Sequence, residues 1–98
     1  MFMPFESVFT QTNMNKSDLP REYIELTERF FSALETLIQQ NRIRGFGTFI
    51  NEHGIDRRNF YKAKDFSLRI KPEWLVYLVR DYNVSAEWLL MGRGGMFN

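Results

Sequence analysis

The chain contains no cysteine, which excludes disulfides, thiolate metal sites and cysteine nucleophiles. His53 is its single histidine, so a metal centre built on converging imidazoles lacks its ligands. A histidine-assisted nucleophile has no evident third partner either. No apolar run approaches the roughly 18 residues that a membrane helix needs, and no basic-then-apolar leader opens the chain. A cytoplasmic protein without membrane contact is expected. A large charge of either sign is also missing: the formal net charge is +1. That argues against a non-specific nucleic-acid coat, which depends on many phosphate contacts.

What the sequence does hold is an apolar, aromatic-rich core. Apolar residues make up 44% of the 98 residues and aromatics 16%, too much for a disordered chain and enough for one domain. The small net charge hides an uneven distribution. Residues 1–41 carry three cations against six anions, and residues 42–98 carry ten against six. Between Asp56 and Asp65 lie Arg57, Arg58, Lys62 and Lys64 with no carboxylate among them. A local basic patch on a nearly neutral chain is what phosphate contact requires, and it is equally what a solvated helix face carries.

Residues 1–20 form an apolar N-terminal arm with Phe2, Met3, Phe5, Val8 and Phe9, expected to pack on the domain or on a second subunit. Ser17 or Asp18, followed by Pro20, offers a helix start. A first helix is predicted from about Arg21 to Asn41, with Thr27, Phe30, Phe31, Leu34, Leu37 and Ile38 as its buried stripe. Glu25 and Arg29 stand four apart, in the order that favours a pair. Phe46, Phe49, Ile50 and His53 recur at helical spacing and predict a second, short helix. Gly54 suits the left-handed residue that stops it, and Asp56 suits the cap of a third helix that buries Phe60 and Ala63. Residues 65–70 read as a loop. Pro72 opens a fourth helix with Trp74, Leu75, Leu78, Val79 and Tyr82 inward, and Ser85 caps a fifth that carries Trp88, Leu89 and Leu90. Five helices without a strand pair make the class all-α. The domain is expected to span residues 21–98.

Two short helices joined by such a turn form a helix-turn-helix, whose second helix can enter the DNA major groove. Residues 30–97 resemble the DNA-binding domain of lambda-repressor-like (XRE-type) regulators. The resemblance rests on Gly54 at the turn, Ile55 beside it, Phe60 as anchor of the second helix, and the tail YNVSAEWLLMGRGGMF. It implies a compact five-helix domain that binds double-stranded DNA, usually as a two-fold homodimer. By position in the family motif, Arg57, Arg58 and Lys62 would reach base edges, with Asn59 and Tyr61 flanking them. Arg44, Thr48, Lys64 and Arg69 are candidates for phosphate contacts, which fix register without reading sequence. The expected role is a transcriptional regulator, a repressor in the first instance. The domain ends at Asn98, so no separate sensor domain is expected, and dimerisation would fall to residues 1–20 or the last helix.

Three positions depart from the family pattern. Ile50 stands where a small residue is usual, Phe46 where a polar residue meets phosphate, and Phe66 where a glycine often follows the second helix. If buried, these side chains enlarge the core; if exposed, they are partner contacts. With the apolar N-terminus they motivate an alternative, a protein-interaction module (an antitoxin-like partner or an antagonist of a regulator) that keeps the fold without binding DNA. No enzyme, cofactor, metal or small-molecule substrate is expected. Trp74 and Trp88 sit at core spacing rather than as base-stacking platforms.

Overall fold

The computed structural model describes residues 16–98, so residues 1–15 of the N-terminal arm, and any dimer contact they make, lie outside it. Among the described residues a short 3-10 turn, Lys16–Asp18, precedes five helices: α1 (Arg21–Gln39), α2 (Phe46–Glu52), α3 (Arg57–Lys64), α4 (Pro72–Tyr82) and α5 (Ala86–Met91). The described residues are all-α apart from a single bridge between Val84 and Phe97. That bridge, with Ser85 N–H donating to Met96 O at 2.8 Å, ties the tail back over the start of α5.

The first helix starts at Arg21 as expected, but its cap differs. Pro20 holds the cap position with no side-chain cap bond, and its carbonyl accepts from the N–H groups of Tyr23 and Ile24, both at 3.1 Å. The end differs too. Asn41 takes φ 59°, and Arg42 N–H donates to Leu37 O at 2.9 Å, closing the helix at Gln39. Asparagine tolerates that left-handed turn, so it terminates the helix rather than extending it. Along α1, Tyr23, Thr27, Phe30, Phe31, Ala33, Leu34 and Leu37 are buried. Thr27 is the one buried polar side chain among the described residues, and its hydroxyl donates to Tyr23 O at 2.9 Å.

Phe30 is the hub. It is fully buried, and its ring lies 4.9 Å from Phe31, 5.9 Å from Phe49, 6.4 Å from Phe60 and 6.1 Å from Trp74. It thus joins α1 to α2, α3 and α4 through aromatic edges and faces, each such pair adding about 0.5–1.5 kcal/mol beyond area burial. Ile50 is buried as well, so α2 accommodates a large side chain where a small one was expected. Phe46 and Phe66 are half-buried and pack against the core. Phe66 adopts φ 64°, the conformation a glycine takes freely, at a cost of about 1–2 kcal/mol that its packing must offset.

Polar groups from distant elements finish the helix ends. Arg29 donates to Leu89 O at 2.8 Å and Leu90 O at 3.0 Å, closing the C-terminus of α5, where a cation is also favoured by the helix dipole. It therefore does not pair with Glu25, which binds Arg21 at 3.3 Å instead. Carbonyls that would otherwise be orphaned are better partners than an exposed carboxylate. Arg42 does the same for α4, donating to Tyr82 O at 2.9 Å while lying over the Phe97 ring. No described helix is long and apolar enough to cross a membrane.

Candidate nucleic-acid interface

The site is built on α2, the turn and α3. Phe49 and Ile50 bury one face of α2. His53 follows as its cap, Gly54 takes φ 62°, and Ile55 N–H donates to Ile50 O at 3.0 Å. The Asp56 carboxylate accepts from Asn59 N–H at 2.9 Å, so α3 starts where the sequence predicts. Only glycine makes the turn without strain. Losing the cap would cost about 1 kcal/mol.

Phe60 and Ala63 are fully buried and fix which face of α3 turns inward. Burying Phe60 contributes on the order of 2–3 kcal/mol. What remains outside is Arg57, Arg58, Tyr61, Lys62 and Lys64, with Asn59 half-buried. Tyr61 is 39% exposed, and its ring is held edge-on to Phe60 at 5.4 Å and to Phe46 at 6.3 Å. Two aromatic neighbours therefore restrict the one aromatic side chain on the outer face.

Among the described residues, ion pairs join Lys16 to Glu28, Arg21 to Glu25, Arg80 to Asp81, and Arg93 to Glu87, while His53 makes a hydrogen bond with Asp81. Arg57, Arg58, Lys62 and Lys64 form none, and neither do Arg44 and Arg69. Arg58 and Lys62 thus stand on the outer face of α3 without an ion pair among the described residues, with Arg57 at its α2 edge and Lys64 at its α1 edge. No matching family, curated protein or solved structure is found. The interface is therefore read from its own geometry.

The remaining candidates divide. Arg44 is exposed just before α2, and Thr48 is half-buried within it. Lys64 lies 5.9 Å from the Phe46 ring centre and borders a hollow of about 200 Å³ whose walls include Glu28 and Glu35, so acidic residues of α1 stand near its charge. Arg69 lies elsewhere. Its guanidinium stacks over Tyr23 of α1 at 4.5 Å, and the Tyr23 hydroxyl accepts from Ile70 N–H at 2.6 Å. Its charge is thus held over α1 from the loop before α4.

Two contacts had no signal in the sequence. The Arg57 guanidinium reaches back to Gly47, 3.4 Å from where a Cβ would stand. His53 ties the turn to α4: Nδ1 lies 2.9 Å from Phe49 O and Nε2 lies 2.9 Å from Asp81 Oδ2, while the ring stacks on Tyr77 at 4.4 Å. Asp81 also accepts from Arg80 at 2.8 and 2.9 Å. The Arg80 bonds first, and the His53 bond second, hold the Asp81 carboxyl well below the usual carboxylate range. Burial, and then a hydrogen bond donated to Glu52 at 3.0 Å, push the Tyr82 hydroxyl up to about 12. These links brace the base of the two-helix unit against α4.

Proposed function

We propose that this chain is a sequence-reading double-stranded DNA-binding regulator of the lambda-repressor-like kind, acting as a repressor with α3 in the major groove. One observation carries the reading: α3 is fixed at one end by the Asp56 cap and along one face by Phe60 and Ala63, and its outer face offers Arg58 and Lys62 without ion pairs, with Arg57 and Lys64 at its edges. A capped, half-buried helix holds its outer side chains in register, which base recognition needs. Arg57, Arg58, Asn59, Tyr61 and Lys62 form the contact set on α3. Arg44, Thr48 and Lys64 are the phosphate contacts of this proposal, fixing that register. Arg69, stacked on Tyr23, is the weakest member. An arginine fork that pairs with guanine O6 and N7 would supply about 1–3 kcal/mol of discrimination.

The alternative, a protein-interaction module, loses part of its motive because Phe46 and Phe66 pack on the core. It keeps one support. An apolar hollow of about 370 Å³ lies between α4 and α5, lined by Leu75, Val76, Val79, Ala86 and Leu89, and Leu90 beside it is 52% exposed. Such a face suits a protein contact, and pairing two DNA-reading copies through it serves the first reading equally well.

Selection of bound duplexes from a random pool at about 0.15 M salt tests the proposal, since weak electrostatic binding is screened there. The wild type is expected to enrich a two-fold symmetric site, and Arg58→Ala/Lys62→Ala to lose it. A wild type that enriches nothing would move the reading to the interaction module.

A further inference from the structure

Arg57 is the first residue of α3, yet its guanidinium does not project away from the body of the domain. Nη2 lies 3.4 Å from the point where a Cβ on Gly47 would stand, so the fork lies alongside the start of α2. Gly47 is the second residue of that helix and has ordinary, not left-handed, backbone geometry. Its lack of a side chain is therefore not demanded by the turn. What the missing side chain does provide is room for Arg57. Among the described residues the guanidinium has no carboxylate partner and no side-chain hydrogen bond, so its donors remain free for a ligand.

In a docked helix-turn-helix the second helix occupies the major groove while the first crosses the sugar–phosphate backbone. A fork held against the first helix stands at the wall of the groove rather than over its floor. A planar guanidinium there matches two phosphate oxygens as well as it would match a guanine edge.

We infer that Arg57 is a phosphate clamp positioned by Gly47, and that base reading falls to Arg58, Tyr61 and Lys62 further along α3. The inference rests on α3 being the reading helix. It divides the outer face into a positioning end and a reading end. Phosphate contacts fix register and carry no sequence information. On this inference Gly47 acts only through Arg57: a large side chain at position 47 would compete with the fork for the space beside α2.

The test uses the full chain and the duplex that the wild type selects, together with that duplex altered one base pair at a time, across a range of salt. Arg57→Ala is expected to weaken binding to every duplex by the same factor, roughly five-fold at about 0.15 M salt, and to lower the salt slope by about one. Arg58→Ala is expected to flatten the preference at one base pair instead. Gly47→Leu should behave like Arg57→Ala, and the double variant should bind no more weakly than either single one. Flattening of one base preference by Arg57→Ala would overturn the inference and leave the DNA-reading proposal standing. A double variant weakened by the product of the two single effects would remove Gly47 as the positioning residue. A wild type that prefers no duplex would remove the clamp and the reading together. If Gly47→Leu fails to fold, Arg57→Ala alone decides the role of the clamp.

Discussion

Replacing Phe30 with alanine tests whether the aromatic hub holds the two-helix unit in place. The side chain is fully buried and touches aromatic rings on α1, α2, α3 and α4. A buried Phe→Ala change costs about 3–5 kcal/mol, as lost transfer energy plus the cavity left behind. The upper part of that range is expected, because the ring is enclosed by four helices that cannot all collapse onto one void. A domain of this size has on the order of 5–15 kcal/mol in total, so the variant loses a third of its stability or more. The midpoint of thermal unfolding should fall by roughly 16–40 °C, at about 4–8 °C per kcal/mol. Phe30→Leu keeps most of the volume but loses the ring contacts, and should cost about 1.5 kcal/mol. Urea unfolding followed by tryptophan fluorescence and by circular dichroism measures this directly, since Trp74 stacks on the substituted ring. Val76→Ala, at a position 52% exposed, is the control and should stay within about 0.5 kcal/mol. If Phe30→Ala costs less than about 1 kcal/mol, the four-helix junction does not depend on this ring and the packing argument fails.

Other outcomes follow from the same contacts. The Asp81 carboxyl is held below its ordinary value by Arg80 and His53, so its contribution is complete above a pH of about 4 and is lost as the pH falls below that. Thermal melts between neutral and strongly acidic pH should show this loss, and Asp81→Asn should show less of it; equal acid sensitivity in both would refute the assignment. Tyr82 is shifted up to about 12, so stability should decline as the pH rises from about 10 towards that value, and the decline should weaken in Tyr82→Phe. Gly54→Ala forces a side chain into φ 62° and should cost about 1–2 kcal/mol. Gly47→Ala, in ordinary helical geometry, should stabilise by roughly 0.5 kcal/mol; matching effects in chemical unfolding would contradict the difference drawn between the two glycines. Arg29→Ala leaves the Leu89 and Leu90 carbonyls without their donor and should cost about 1–3 kcal/mol, with faster amide exchange in α5 than in α1 as its signature.

The sequence by itself determined the helical punctuation and the inward faces. Gly54, Asp56, Pro72 and Ser85 act on their own backbone or on a neighbour within one turn, so their roles are legible from residue type and spacing. Phe49, Ile50, Phe60, Ala63, Trp74 and Leu78 are buried where a 3.6-residue period puts them. That period also leaves Arg57, Arg58, Lys62 and Lys64 outside, so the candidate interface was visible as a stripe of charge. Failures at the same level were local too: Asn41 stops α1 because it can turn left-handed, and Phe66 accepts the conformation expected of glycine.

Tertiary structure alone decided the partners. Arg29 reaches α5 across 60 positions, Tyr23 meets Ile70 across 47, and His53 meets Asp81 across 28. No local pattern contains those pairs, because the second member is supplied by a distant helix or loop that folding brings alongside. The same holds for Arg57, whose residue type suits a base or a phosphate equally. In the proposed DNA-bound state the choice between the two rests on the Gly47 patch of α2, and that proximity exists only once α2 and α3 are packed together.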